Sequence, residues 1–281
     1  MPPPPLPASL VFLHATGFPS KCYLPFLSAL STALSNAPVF YPDPFLGNSP
    51  PFRPDGTWDP LVQQALQIVD TASSSPSSNG RVTLVGHSMG GMVALAAAAL
   101  RPSVVETVVV LDPPYFSWRR RLAFRVLREF HLLDRLSPVS VAAAKRRDAF
   151  PSRSDAAVQW SKRSLFKSFD PECFNLYVEH GLVDLPDNKG VTLAIPKDLE
   201  KAVFDSVQTR DPTAAEAAVK GFYVFSAQRG TTSEADLQEN RRYFPGLTFV
   251  EEPGSHLFPL EKPLRTAERV ASLINSSKGK R

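Results

Sequence analysis

Residues 81–91 read Arg81-Val82-Thr83-Leu84-Val85-Gly86-His87-Ser88-Met89-Gly90-Gly91, and this run decides the fold. Val82 to Val85 are apolar or β-branched at successive positions, the pattern of a strand covered on both faces. Met92 to Leu100 follow as an alanine-rich helical run, ended by Arg101-Pro102 because proline cannot continue it. Gly86 and Gly90 flank Ser88 and remove the side chains that would block a tight strand-to-helix turn. Such a turn lifts the Ser88 hydroxyl above the sheet, beside the first helical N–H groups, which have no intrahelical acceptor. Gly-x-Ser-x-Gly in this setting is a nucleophile elbow. The alternative is a glycine-rich turn that carries an inert serine.

Outward from the elbow, short apolar runs alternate with helical patterns, which argues for a parallel α/β sheet. Strands are expected at 9–14, 39–41, 82–86, 107–111, 222–226 and 247–251, and helices at 23–35, 58–71, 88–100, 235–243 and 263–275. The stretch Ser73–Gly80 reads as a surface loop, and no internal repeat is visible. The alternation breaks between Pro113 and about Arg210. That stretch reads as helical, with Leu122, Val126 and Phe130 spaced for one apolar face. The expected organisation is therefore a core formed by residues 1–112 and 211–281, with residues 113–210 inserted as a helical cap over the sheet's C-terminal edge. From Pro113 to Phe169 there are thirteen Lys or Arg against four Asp or Glu, a charge of +9. This is the charge of a solvated helical face, or of a basic rim that attracts acidic substrates or an anionic surface. Nine aromatics, from Phe116 to Phe174, either pack the cap on the core or line an apolar acyl pocket.

Bulk properties narrow the classes. The 281 residues suffice for one large core plus an insertion, and a net charge of +4 gives no sign of a nucleic-acid partner. Only Cys22 and Cys173 are present, so no disulfide framework is implied and a reducing compartment is expected. The start, Met1-Pro2-Pro3-Pro4-Pro5-Leu6-Pro7, lacks the charged and apolar regions of a secretory signal. No segment has the length of a membrane span. The end, Ser276-Ser277-Lys278-Gly279-Lys280-Arg281, is not a peroxisomal address. An intracellular, cytoplasmic location is the expectation. Oligomeric state is not decided by composition.

A serine hydroxyl needs a base within hydrogen-bond reach and a carboxylate to orient that base. Among five histidines, His256 lies in a loop after the last expected strand, Gly254-Ser255-His256-Leu257-Phe258, from which it can swing to Ser88. His87 neighbours the serine but should point elsewhere, and His131 and His180 fall in the cap. The carboxylate is less determined. Asp112 ends Val108-Val109-Val110-Leu111, at the sheet edge where ligands bind in open α/β sheets. Glu234 and Asp236 are the first acids after the strand at 222–226. Asp112 is favoured, with Glu234 as the alternative and Asp236 behind it. The loop His14-Ala15-Thr16-Gly17-Phe18 turns tightly at Gly17, and an N–H from Thr16 or Ala15 could join that of Met89 as an oxyanion hole. His14 reads as a structural residue that pins this loop.

The motifs Val85–Gly91, His14–Phe18 and Gly254–Pro259, in that order, resemble those of α/β-hydrolase-fold serine hydrolases. The loop at 14–18, with Arg146-Arg147-Asp148-Ala149-Phe150 and Tyr177-Val178-Glu179-His180-Gly181, is similar to a lipase/esterase-like branch that includes fungal toxin-biosynthesis-type and peroxisomal lipase-like hydrolases. The resemblance implies an α/β-hydrolase fold with a mostly parallel sheet of about six strands. Because only about eight residues precede the first strand, the N-terminal strand pair common in such proteins is expected to be missing. It also implies cleavage of a carboxylic ester, lactone or related acyl bond on a small, hydrophobic substrate, with neither metal nor organic cofactor. The same triad could serve carbon–carbon hydrolysis, a lyase reaction or acyl transfer, and a non-catalytic binding protein could keep the fold.

Overall fold

A computed structural model describes residues 6–43, 45, 58–186 and 189–278. The Pro-rich start at 1–5 and the end of the basic tail at 279–281 lie outside the described residues. The chain opens with strand β1 (Ser9–Leu13), a 3₁₀ turn (Ser20–Tyr23), helix α1 (Leu24–Ala33), β2 (Val39–Phe40) and α2 (Asp59–Ser73). Next come β3 (Val82–His87), α3 (Met89–Leu100) and β4 (Val105–Leu111). The segment beyond β4 holds α4 (Trp118–Glu129), α5 (Leu133–Leu136), α6 (Pro138–Ala144), β5 (Ala149–Phe150), α7 (Arg153–Ser161), α8 (Pro171–His180), β6 (Leu182–Asp184), β7 (Val191–Leu193), α9 (Lys197–Asp205) and α10 (Ala214–Ala217). The chain closes with β8 (Gly221–Ser226), α11 (Glu234–Tyr243), β9 (Leu247–Glu252), α12 (Phe258–Glu261) and α13 (Pro263–Lys278).

Six strands form one sheet in the order β2-β1-β3-β4-β8-β9, and every neighbouring pair is parallel. All six expected strands are present. Among the described residues no strand precedes β1, and β2 forms the edge. The apolar strands divide their side chains by pleat between two helical layers. Val11, Leu13, Leu84, Val108, Val110, Tyr223 and Phe225 face the layer of α2, α3 and α11. Leu10, Phe12, Val85, Val109, Leu111, Phe222 and Val224 face that of α1 and α13.

The segment between β4 and β8 is mainly helical, as its sequence suggests, but it also contains a small antiparallel sheet, β5-β7-β6. Phe150, Trp160, Phe166, Phe169 and Tyr177 are buried together there. Their rings contact one another. Phe18, in the loop after β1, packs on Phe169 and Tyr177 with ring centroids 5.9 Å and 5.4 Å apart. The segment is thereby seated against the loop that follows β1. Among the described residues no helix is long and apolar enough to cross a membrane.

Candidate active site

Parallel register gathers the strand ends at one edge: Leu13 pairs near Gly86, His87 with Leu111, Leu111 with Val224, and Ser226 with Glu252. Loops leaving this edge carry the candidate residues. Ser88 sits between β3 and α3 at φ 55°, ψ −121°, a conformation disfavoured for any residue with a side chain. It is held there from all sides. The Ser88 N–H donates to Leu111 O (2.9 Å), and the N–H of Gly91 donates to Ser88 O (2.9 Å). A Cβ on Gly86 would collide with the Gly90 carbonyl, and one on Gly90 with the carbonyls of Leu13 and His14. Both glycines are therefore steric requirements of the turn.

Asp112 follows β4 at φ 45°, a left-handed conformation that aspartate tolerates better than most residues. Its N–H donates to Val224 O (2.7 Å), and its Oδ1 accepts from the Ser226 N–H (3.0 Å). The other carboxylate oxygen lies 2.7 Å from His256 Nδ1, and His256 Nε2 lies 3.0 Å from Ser88 Oγ. The carboxylate can only accept, so Nδ1 carries the proton and Nε2 is left to accept from the serine. Asp112 is buried while a quarter of His256 remains exposed, at 26%.

The structure thus brings Ser88, His256 and Asp112 into one hydrogen-bonded line. The other acids are engaged elsewhere. Glu234 is an exposed partner of Arg229. Asp236 is buried at the start of α11, where it accepts from the N–H groups of Ser117 and Ser233 and pairs with Arg120.

Met89 opens α3, where N–H groups lack intrahelical partners. Ala15 and Thr16 lie in a tight turn closed by the Phe18 N–H donating to Ala15 O (3.1 Å), with Gly17 at φ 80°. His14 is fully buried and fastens that turn. Its Nδ1–H donates to Ala15 O (2.8 Å), and its Nε2 accepts from the Phe45 N–H (3.0 Å). Burial pushes its pKa down to about 4.

His87 points away from Ser88 as expected, but three sets of partners were not foreseen from sequence. His87 points into the core beneath the site. Its Nε2–H donates to the His256 carbonyl (2.9 Å), so its Nδ1 must accept from the Tyr23 hydroxyl (2.8 Å). Burial, reinforced by the adjacent His256 ring 5.0 Å away, holds the His87 pKa well below the ordinary histidine value. Glu261 staples the His256 loop: it accepts from Ser255 Oγ (2.6 Å), the Ser255 N–H (3.2 Å) and Ser168 Oγ (2.8 Å). Finally, Glu200 of α9, paired with Arg146 (2.6 Å), fills the space where a Cβ on Gly17 would stand. Each joins residues far apart in sequence or hides a polar partner in an apolar run, and no local spacing reports that. Among the described residues no group of three or more His, Cys, Asp or Glu could hold a metal ion.

Residues 10–269 match the model of the alpha/beta hydrolase family. The chain is 26% identical over 256 residues to the lipase LipV of Mycobacterium tuberculosis, covering 90% of this chain and 87% of LipV. It is 26% identical over 181 residues to the type I acyl-CoA thioesterase mpaH of Penicillium roqueforti, covering 64% of this chain and 39% of mpaH. Among solved structures it superposes on the peroxisomal alpha-beta-hydrolase Lpx1 of Saccharomyces cerevisiae with a TM-score of 0.69 at 17% identity, covering 96% and 77% of the two chains.

Proposed function

Because the chain belongs to the alpha/beta hydrolase family, we propose that it is a serine hydrolase that cleaves a carboxylic ester or related acyl bond through an acyl-enzyme. The observation that carries this reading is the continuous line from Asp112 Oδ2 through His256 to Ser88 Oγ, with steps of 2.7 and 3.0 Å. Ser88 Oγ attacks the acyl carbon while its proton passes to His256 Nε2. Asp112 holds the ring in the required tautomer and stabilises the imidazolium. The N–H of Met89, with that of Thr16 or Ala15, stabilises the oxyanion; one such donor contributes roughly 10²–10³ in rate. His256 then protonates the leaving group, and water, deprotonated by the same ring, releases the acid. Residues 113–210 serve as a cap over this edge, on a core of residues 1–112 and 211–281. The names of LipV and mpaH, a lipase and a thioesterase, favour a hydrophobic acyl substrate.

A fluorophosphonate probe tests the chemistry. It is expected to label the native protein and to leave Ser88→Ala unlabelled. A folded native protein that takes no label would overturn the proposal in favour of a ligand-binding role. A panel of p-nitrophenyl esters with hydroxylamine trapping then separates hydrolysis from acyl transfer.

A further inference from the structure

Helix α4 carries its polarity inside out. The sequence Trp118-Arg119-Arg120-Arg121-Leu122-Ala123-Phe124-Arg125-Val126 would ordinarily bury its apolar stripe and leave its arginines in water. Instead, Trp118, Leu122 and Val126, followed by Phe130 just past the helix, stand one turn apart on the outside at 53%, 48%, 46% and 66% exposure. Arg120, Arg121 and Arg128 turn towards the body of the protein, while Arg119 and Arg125 stay exposed. Arg121 is 2% exposed, donating to Phe116 O and Tyr243 Oη and pairing with Asp211. Arg128 donates to the carbonyls of Asp205 (3.0 Å) and Val207 (2.7 Å), and Arg120 pairs with Asp236. Charge-assisted hydrogen bonds, with the Arg121 guanidinium itself buried, thus fasten the helix to the body and hold a ridge of four large apolar side chains to the outside.

We propose that this ridge docks the protein on an anionic phospholipid surface. The side chains have the composition of an interfacial face: an indole and a phenyl ring at its two ends, with aliphatic groups between them. The surrounding charge has the matching sign. Arg119, Arg125, Arg135 and Lys145 are exposed, and residues 118–145 carry seven Lys or Arg against two acids, Glu129 and Asp134. Pairing two copies of the ridge would press these cations together, whereas an acidic headgroup layer attracts them. The inference is independent of the chemistry at Ser88.

The native chain reports its own docking. Trp58 and Trp160 are buried at 6% and 4%, so a blue shift of tryptophan emission on adding vesicles belongs to Trp118. The shift, and co-sedimentation, are expected with equimolar phosphatidylcholine and phosphatidylserine but not with phosphatidylcholine alone. Both should be lost in about 1 M salt, where charges are screened within ~3 Å. The triple variant Leu122→Ser, Val126→Ser, Phe130→Ser should lower co-sedimentation roughly tenfold or more through lost apolar burial, with its thermal unfolding unchanged. Trp118→Ser alone, with a single side chain removed, should also weaken it. No response to either vesicle, equal binding to neutral vesicles, or a dimer in solution that the triple variant abolishes would each overturn the proposal.

Discussion

The two halves of the candidate site are held by different physics. The serine side is fixed by backbone sterics: a left-handed Ser88, and two glycines whose missing side chains are occupied by neighbouring carbonyls. The histidine side is fixed by polar contacts: Asp112 on Nδ1, His87 on the carbonyl, and Glu261 on the preceding residue. Steric fixation fails all at once, whereas hydrogen-bonded fixation can be weakened one contact at a time. A nucleophile that must lie within reach of both base and oxyanion donors suits the first. A base that takes and returns a proton suits the second.

The largest expected effect tests the polar half. Asp112→Asn keeps the shape but removes the acceptor that fixes the His256 tautomer. Ester turnover should fall roughly ten-thousandfold, about 5 kcal/mol, with the fold intact. Glu234→Gln should leave turnover near the native value. The reverse result in steady-state kinetics would dissolve the line drawn through Asp112. Gly90→Ala comes next and tests the steric half. Its Cβ would overlap two backbone carbonyls that cannot rotate away, so a loss above about 4 kcal/mol in denaturant unfolding is expected. A variant that unfolds like the native protein would show the elbow to be softer than its contacts imply.

These contrasts also explain what the sequence could and could not reveal. Val82 to Val85, Val108 to Leu111 and Phe222 to Phe225 are legible because strands covered on both faces are continuously apolar. Strand β4 starts two residues earlier than its apolar run suggests, at Val105-Glu106, where both residues are half-buried. The elbow is legible because its requirement for glycine is local. Strands of two and three residues, such as β5 and β7, are too short to show a period. The spacing of Leu122, Val126 and Phe130 correctly indicated one face of a helix but not its direction. Direction depends on Asp211, Asp236 and the carbonyls of 205 and 207 receiving the arginines. His87 and Glu261 escaped for the same reason: their partners lie across the fold or across a loop.

Acid should strain the loop after β1 by a smaller amount. His14 is neutral in the folded protein, with a pKa of about 4, and returns to about 6.5 when unfolded. Below about 6.5 the unfolded chain binds the extra proton, so stability present above that pH is lost progressively down to about 4. This group alone contributes about 3 kcal/mol to that loss, and His87, also held neutral by burial, acts in the same direction. Urea unfolding of native protein and His14→Gln between these pH values measures it. A native profile as flat as that of the variant would mean that His14 is not held neutral.

The smallest effect sharpens the comparison most, because it loosens the polar half without touching a residue in the proton path. Glu261→Gln preserves shape but replaces one of two acceptor oxygens with a donor, facing either the Ser255 N–H or the hydroxyls of Ser255 and Ser168. One buried contact is lost, about 1–2 kcal/mol. If the staple positions His256, that cost appears as roughly a tenfold fall in kcat with KM nearly constant. The pH dependence of kcat should stay in place, since Asp112 still orients the ring. A loss confined to thermal stability, with kcat unchanged, would mean that Asp112 and His87 suffice to hold the base and that Glu261 only braces the loop.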